Sequence, residues 1–181
     1  VGVGDKIKDE AKGVIDTIKS YGITPIMLTG DNERTAKAIA KEIGIDIVKA
    51  GVLPKDKLDF IKSLQEEGHI VAFVGDGIND TPSIKGANVG IAMGSGSDIA
   101  ISAGDIVIVG GKLKSIIKAI NLSRSIFKKI KENLFWALFY NLIAIPIAAA
   151  GFLHPVIAEI AMALSSINVV TNSLRLNKLK L

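Results

Sequence analysis

Positions 133–153 contain no charged residue. An apolar stretch of that length crosses a hydrocarbon core about 30 Å thick. The chain then breaks tightly between Gly151 and Pro155. A second apolar stretch, 156–174, follows with a single charge, Glu159. Arg175, Lys178 and Lys180 sit in the tail, and a lysine-rich segment precedes the first stretch. Basic residues thus flank the apolar pair at both outer ends, and none lies in the turn between. The positive-inside rule puts both ends of the pair, with everything before it, on the cytoplasmic side. The competing reading, a buried hairpin of a soluble protein, would have to bury an uncharged run of this length.

The chain has 181 residues, of which 49% are hydrophobic. Its mean hydropathy, +0.41, is high for a soluble domain. The excess is concentrated after position 132. Length predicts one or two domains. A net charge of +4 is too mild to argue for nucleic acid, and none is expected as a partner. No cysteine is present, which removes disulfides and thiolate metal sites. The sequence opens on a strand-like Val-Gly-Val-Gly without methionine or signal peptide, and reads as a piece of something longer.

Before Gly111 the pattern changes. Short apolar strands are predicted at 23–28, 46–49, 69–74, 88–93 and 105–109. Helical patterns separate them. Positions 6–21 carry apolar Ile7, Ala11, Val14, Ile15 and Ile18 at spacings of three and four. Positions 32–43 follow a helix start at Gly30-Asp31 and stop at Gly44; positions 55–67 open after Pro54 and close at Gly68. Strand–helix alternation predicts an α/β fold with a mostly parallel sheet. Positions 112–132 are amphipathic, with Lys114, Lys118, Arg124, Lys128, Lys129 and Lys131.

The strand at 69–74 stops abruptly at Gly75-Asp76-Gly77-Ile78-Asn79-Asp80. Loops at strand ends of open α/β sheets are where ligands bind. Two carboxylates there, Asp76 and Asp80, suit Mg2+, which takes one or two of them with water and substrate phosphate. Their plainer reading is turn and cap. Thr29-Gly30-Asp31 follows another strand; its hydroxyl and the N–H groups of a helix start suit a phosphate, or equally an ordinary turn. Lys55 and Lys57 open a helix after a third strand. They are either solvated or, for one of them, turned in to neutralise phosphate. In a parallel sheet these three strand ends share one edge, so the clusters mean more together than singly.

On these motifs, in this order, the sequence resembles the C-terminal part of a P-type ATPase, within the haloacid-dehalogenase-like phosphotransferase superfamily. The residues are Thr29-Gly30-Asp31, Lys57 in the Pro-x-x-Lys pattern from Pro54, and Gly75 to Asp80. The resemblance covers the whole chain, including Asp5 and the helix after it. Thr81-Pro82-Ser83 departs from a frequent Ala-Pro-Ala, with little consequence expected from such small residues. The resemblance implies an incomplete haloacid-dehalogenase-like (Rossmannoid) phosphorylation domain over 1–111, a linking helix over 112–132, and a transmembrane helical hairpin with a short basic tail over 133–181. Thr29, Gly30 and Asp31 would hold the phosphoryl group and Lys57 would offset its charge. Asp76 would ligate Mg2+, Asp80 would orient or share it, and Asn79 would bond a phosphate oxygen.

The family nucleophile lies in Asp-Lys-Thr-Gly-Thr, a motif that does not occur in these residues. A nucleotide-binding insert and an actuator domain are expected in a missing N-terminal part, along with other membrane helices and most of the ATP contacts. The sheet is then expected to lack its central first strand and to expose ladder edges. The chain alone is expected neither to form an aspartyl-phosphate nor to turn over ATP.

Within the apolar pair, Tyr140-Asn141 lies in the first helix. Met162, Ser165 and Ser166 share a face of the second, with Asn168 and Asn172 extending a polar stripe. Helix–helix packing explains the serines as readily as a site does. Tyr-Asn with Met-x-x-Ser-Ser resembles the copper-transporting subgroup, and the Asp-Lys pair that zinc and cadmium pumps carry in the last helix is absent. The resemblance implies transport of Cu+, with Ag+ as alternative cargo, and a thioether suits a soft ion. Glu159 is a candidate for metal exit or an interfacial residue. The reading is the C-terminal part of an ATP-driven Cu+ exporter in the cell membrane. Its rivals are a membrane-anchored phosphatase of the same superfamily and a non-catalytic membrane remnant or subunit completed by a separate chain.

Overall fold

In a computed structural model, residues 7–94, 98–151 and 155–178 are described. Asp5, the strand-like 1–4 start, most of the 151–155 turn and Lys180 lie outside them. The chain forms two compact units, Val1–Ile117 and Lys118–Leu181.

In the first unit, α1 (Ala11–Ser20) buries Ala11 and Val14. It starts later than the apolar spacing predicts because the residues before it are drawn elsewhere. Lys8 Nζ donates to the Gly111 carbonyl at 2.8 Å, and the Glu10 carboxylate accepts from the Leu113 N–H at 2.6 Å. Chain then enters β1 (Ile26–Leu28) and α2 (Glu33–Ile43). The cap of α2 is Asn32, whose side chain accepts from the Thr35 N–H at 3.0 Å, one residue after the predicted start at Gly30-Asp31. Gly44 ends α2 at φ 82°, a left-handed position that glycine takes without a Cβ penalty. After β2 (Ile47–Lys49), Pro54 opens α3 (Pro54–Glu66), and Asp56 accepts from the Leu53 N–H at 3.2 Å.

β3 (Ala72–Gly75), β4 (Val89–Met93) and β5 (Ile106–Ile108) complete the strands. Two six-residue helices, α4 (Thr81–Gly86) and α5 (Asp98–Ala103), join them. Ile84 and Ala92 form a buried core, with Phe73 and Ala103 packed against it. All pairing is parallel, as the alternation predicts, but it falls into two sheets. β1 pairs with β2, and β3–β4–β5 form the other; β1 and β3 are not paired with each other. Among the described residues, each therefore keeps a free ladder edge.

In the second unit, the linking segment and the first apolar stretch are one uninterrupted helix. α6 (Lys114–Ala149) has 36 residues and so is about 54 Å long, well beyond a bilayer core. The division between the units falls inside it. Gly151 follows at φ 76°. α7 (Pro155–Leu174) leads into a 3-10 turn, Arg175–Lys178. Among the described residues, α6 is the one helix long and apolar enough to cross a membrane. Two such helices were expected; α7 has 20 residues and a single charge, Glu159.

Candidate functional site

β1 runs into Thr29, whose N–H continues the ladder onto the Lys49 carbonyl at 3.0 Å. The Thr29 hydroxyl donates to Asp31 Oδ2 at 2.9 Å and accepts from the Asp31 N–H at 3.1 Å. These residues make a turn but not the helix cap, which Asn32 supplies. The loop after β2 is bonded onto this turn: Gly51 N–H donates to the Asp31 carbonyl at 2.8 Å and Val52 N–H to the Thr29 carbonyl at 3.0 Å.

Of the two lysines at the start of α3, Lys55 is exposed and Lys57 turns inward. Lys57 Nζ donates to Asp80 Oδ1 at 2.8 Å, with the two side chains 15% and 14% exposed. The sequence-level choice between a solvated and an inward lysine is thus resolved in favour of Lys57 as the inward one. Asp80 is brought there by Gly75, the last residue of β3. A Cβ at Gly75 would lie 2.7 Å from Asp80 Cβ and 2.9 Å from its Oδ2. The Asp80 N–H donates to the Gly77 carbonyl at 3.0 Å, closing the 3-10 turn Ile78–Asp80. Asn79 is exposed on that turn.

Asp76 is exposed at the end of β3 and has no hydrogen-bond or ion-pair partner among the described residues. With Asp80 it offers hard oxygens beside a strand end. That donor set fits Mg2+, which fills its remaining positions with water and phosphate. No group of three or more His, Cys, Asp or Glu side chains that could hold a metal ion occurs among the described residues. The three strand-end clusters are therefore linked in series: the Thr29 turn to the β2 loop by backbone bonds, and α3 to the β3 loop by Lys57–Asp80. No hydrogen bond joins Thr29 or Asp31 directly to Asp76 or Asp80 among the described residues.

Thr81 and Ser83 have more consequence than their size suggests. Both hydroxyl oxygens are buried, and neither has a partner among the described residues. Leaving a buried hydroxyl unpaired costs about 1–3 kcal/mol. Alanine at these positions carries no such cost.

In the second unit, Tyr140 and Asn141 stay apart from the serines. Asn168 Nδ2 donates to the Tyr140 hydroxyl oxygen at 2.9 Å. Asn141 Nδ2 donates back to the Ala137 carbonyl at 2.9 Å, and the Ser166 hydroxyl to the Met162 carbonyl at 3.2 Å. Each donor is spent on its own helix, which leaves Asn141 Oδ1 and the Ser166 lone pairs for a cation. Met162 is exposed, as is Glu159 near the start of α7. No hydrogen bond joins Tyr140 or Asn141 to Met162, Ser165 or Ser166 among the described residues. Sequence reading missed a second polar group, Lys129, Glu132 and Asn133 against Asn172 and Ser173. The signal was present, since 129, 132 and 133 follow helical spacing on α6.

A parallel α/β unit with these loops defines the class: residues 1–88 match the haloacid dehalogenase-like hydrolase family. The chain is 56% identical over all 181 residues to a copper-exporting P-type ATPase of Staphylococcus haemolyticus strain JCSC1435. It is 52% identical, again over its whole length, to the copper-exporting P-type ATPase of Staphylococcus aureus strain JH9. It spans 23% of the length of each of these curated relatives. Among solved structures, a zinc-transporting PIB-type ATPase in its E2.Pi state superposes with a TM-score of 0.90 at 36% identity, over 95% of this chain and 28% of that one. A catalytic CPx-ATPase domain gives 0.61 at 32% identity, over 65% of this chain and 46% of that one. Over its length the chain is similar to a part of heavy-metal P-type ATPases.

Proposed function

We propose that the whole protein is an ATP-driven Cu+ exporter working through an aspartyl-phosphate, and that this chain supplies its Mg2+ and phosphate loops and two of its membrane helices. The observation that carries the reading is the Lys57–Asp80 pair beside an unpartnered Asp76. It sets one cation and two carboxylates at the end of β3, where phosphoryl transfer needs positioning and charge neutralisation. Thr29, Gly30 and Asp31 hold the phosphoryl group, Lys57 offsets its charge, and Asn79 bonds one of its oxygens. Asp76 and Asp80 hold Mg2+, which when bound neutralises phosphate oxygens. The nucleophilic aspartate comes from a strand elsewhere in the protein, for which the edges of β1 and β3, unpaired among the described residues, leave a place.

The apolar side chains of α6 and α7 are exposed to a degree that a soluble protein avoids, among them Leu138 at 59% and Leu142 at 73%. A bilayer accounts for this, with both helices crossing it and the phosphorylation unit and basic tail on the cytoplasmic side. Tyr140, Asn141, Met162, Ser165 and Ser166 line the path of the metal, with Glu159 at its exit. The structural neighbour transports zinc by its title, whereas the relatives at 52–56% identity export copper. The Met162 thioether and the absence of a charged pair in α7 favour the soft monovalent ion.

In the full-length protein, ATP hydrolysis is expected to rise at least tenfold with Cu+ or Ag+ and less than twofold with Zn2+. Equal stimulation by Zn2+ would overturn the assignment of cargo.

A further inference from the structure

The most heavily bonded polar group in the second unit is not the ion-site set but a cluster where the charged part of α6 gives way to its uncharged run. Lys129 Nζ donates to Glu132 Oε2 at 2.6 Å and, across the helix pair, to Asn172 Oδ1 at 2.8 Å. Asn172 Nδ2 donates to Glu132 Oε2 at 3.0 Å and to Asn133 Oδ1 at 2.9 Å. Asn133 Nδ2 in turn donates to Ser173 Oγ at 2.9 Å. The Ser173 hydroxyl spends its proton on the Val169 carbonyl at 2.9 Å.

The Asn172 amide is thereby engaged on both sides, its NH2 giving two bonds and its oxygen taking one. An amide has this capacity and a hydroxyl does not. All three of its partners stand on one face of α6, at i, i+3 and i+4. Together they fix the axial register and the rotation of α7 against α6. By contrast the Tyr140–Asn168 contact, further along the same pair, is a single bond. The C-terminal part of α7 is thus joined to the middle of α6 by several bonds, and at the level of Tyr140 by one.

We propose that Asn172 is a positioning residue that makes the middle of α6 and the C-terminal part of α7 move as one body, so that a displacement of α6 during the phosphorylation cycle reaches Met162, Ser165 and Ser166 through α7. This rests on the pump reading above. It goes beyond it by assigning the coupling to a defined contact. The clasp is polar throughout, and breaking it where water is scarce leaves Glu132 and Asn133 with fewer partners. The paired geometry is therefore preferred over a slipped one.

The test uses the full-length protein in liposomes, with Cu+ movement and ATP hydrolysis read on the same preparation. Asn172→Asp keeps the side-chain shape and the bond from Lys129, removes both donations, and sets a carboxylate against Glu132. Asn172→Ala removes the group altogether. In both, Cu+ moved per ATP hydrolysed is expected to fall at least threefold. Thr171→Ala, at an exposed neighbouring position, is expected to keep the parent ratio. Simple loss of folded protein lowers hydrolysis and transport alike and leaves that ratio unchanged. An unchanged ratio in both Asn172 variants therefore overturns the proposal. A parent protein without Cu+-stimulated hydrolysis removes the pump reading first, and the proposal with it.

Discussion

Lys57→Met in the full-length protein is expected to slow phosphoenzyme formation by about two to three orders of magnitude, the usual loss when a preorganised charge aimed at a reacting group is removed. Two effects combine. The cation that offsets phosphate charge disappears. Asp80, only 14% exposed, is left without its ion pair. Breaking a buried pair by removing one partner costs about 3–5 kcal/mol, and the residual exposure of this one puts it at the lower end. Asp80 then swings out and ceases to orient Mg2+. Lys57→Arg keeps the charge and is expected to recover part of the rate. Rapid-quench measurement of phosphoenzyme formation checks both variants; a Lys57→Met rate within threefold of the parent would contradict the role given to the pair.

Gly75→Ala, which changes no charge, is expected to raise the Mg2+ concentration needed for half-maximal phosphorylation at least tenfold. The added methyl would stand 2.7 Å from Asp80 Cβ. That atom is anchored directly to the backbone of the 3-10 turn, so the clash cannot be relieved by rotating a flexible tip. The turn has to shift, carrying Asp80 out of reach of Lys57. Displacing a catalytic group by about 1 Å commonly costs about a hundredfold in rate. Overpacking itself costs about 1–3 kcal/mol of stability. A Mg2+ titration of phosphorylation separates the two, since destabilisation lowers the yield without moving the midpoint. An unchanged midpoint would show that Gly75 tolerates a side chain and that Asp80 is not held as described.

Much of this arrangement is legible in the sequence because it is local. Asn32, Gly44, Pro54 and Gly68 punctuate the helices with side chains or backbone conformations that act within one turn. The five strands appear where short apolar runs stop at glycine or a polar residue, and they come out shorter mainly because flanking residues lack a partner strand. α4 and α5 escape because six residues hold too little periodicity to register. The division into two sheets is a long-range property. It depends on what pairs with β1 and β3, and no pattern within either strand records that.

The sites divide in the same way. Loop composition pointed to Asp76, Asp80 and Thr29-Gly30-Asp31, and the pattern from Pro54 pointed to Lys57. It could not show that Lys57 bonds Asp80, which requires α3 to cross onto the β3 loop. The buried, unpartnered hydroxyls of Thr81 and Ser83 were invisible for a related reason: size predicts whether a residue fits, whereas burial decides what its hydroxyl costs. Asn168 and Asn172 read as a single stripe on α7. Their different partners on α6, Tyr140 for one and the Lys129–Glu132–Asn133 face for the other, emerge only when the two helices are set side by side.

The central claim is that these loops form the Mg2+ and phosphoryl corner of a domain whose nucleophile another segment supplies. Labelled ATP and Mg2+, offered to this 181-residue chain and to the full-length protein in parallel, test it most directly. The account predicts an acid-stable, hydroxylamine-sensitive label on the full-length protein, lost on Asp76→Asn, and none on the chain by itself. The same label on the isolated chain would contradict it, because the nucleophile would then have to lie within these residues.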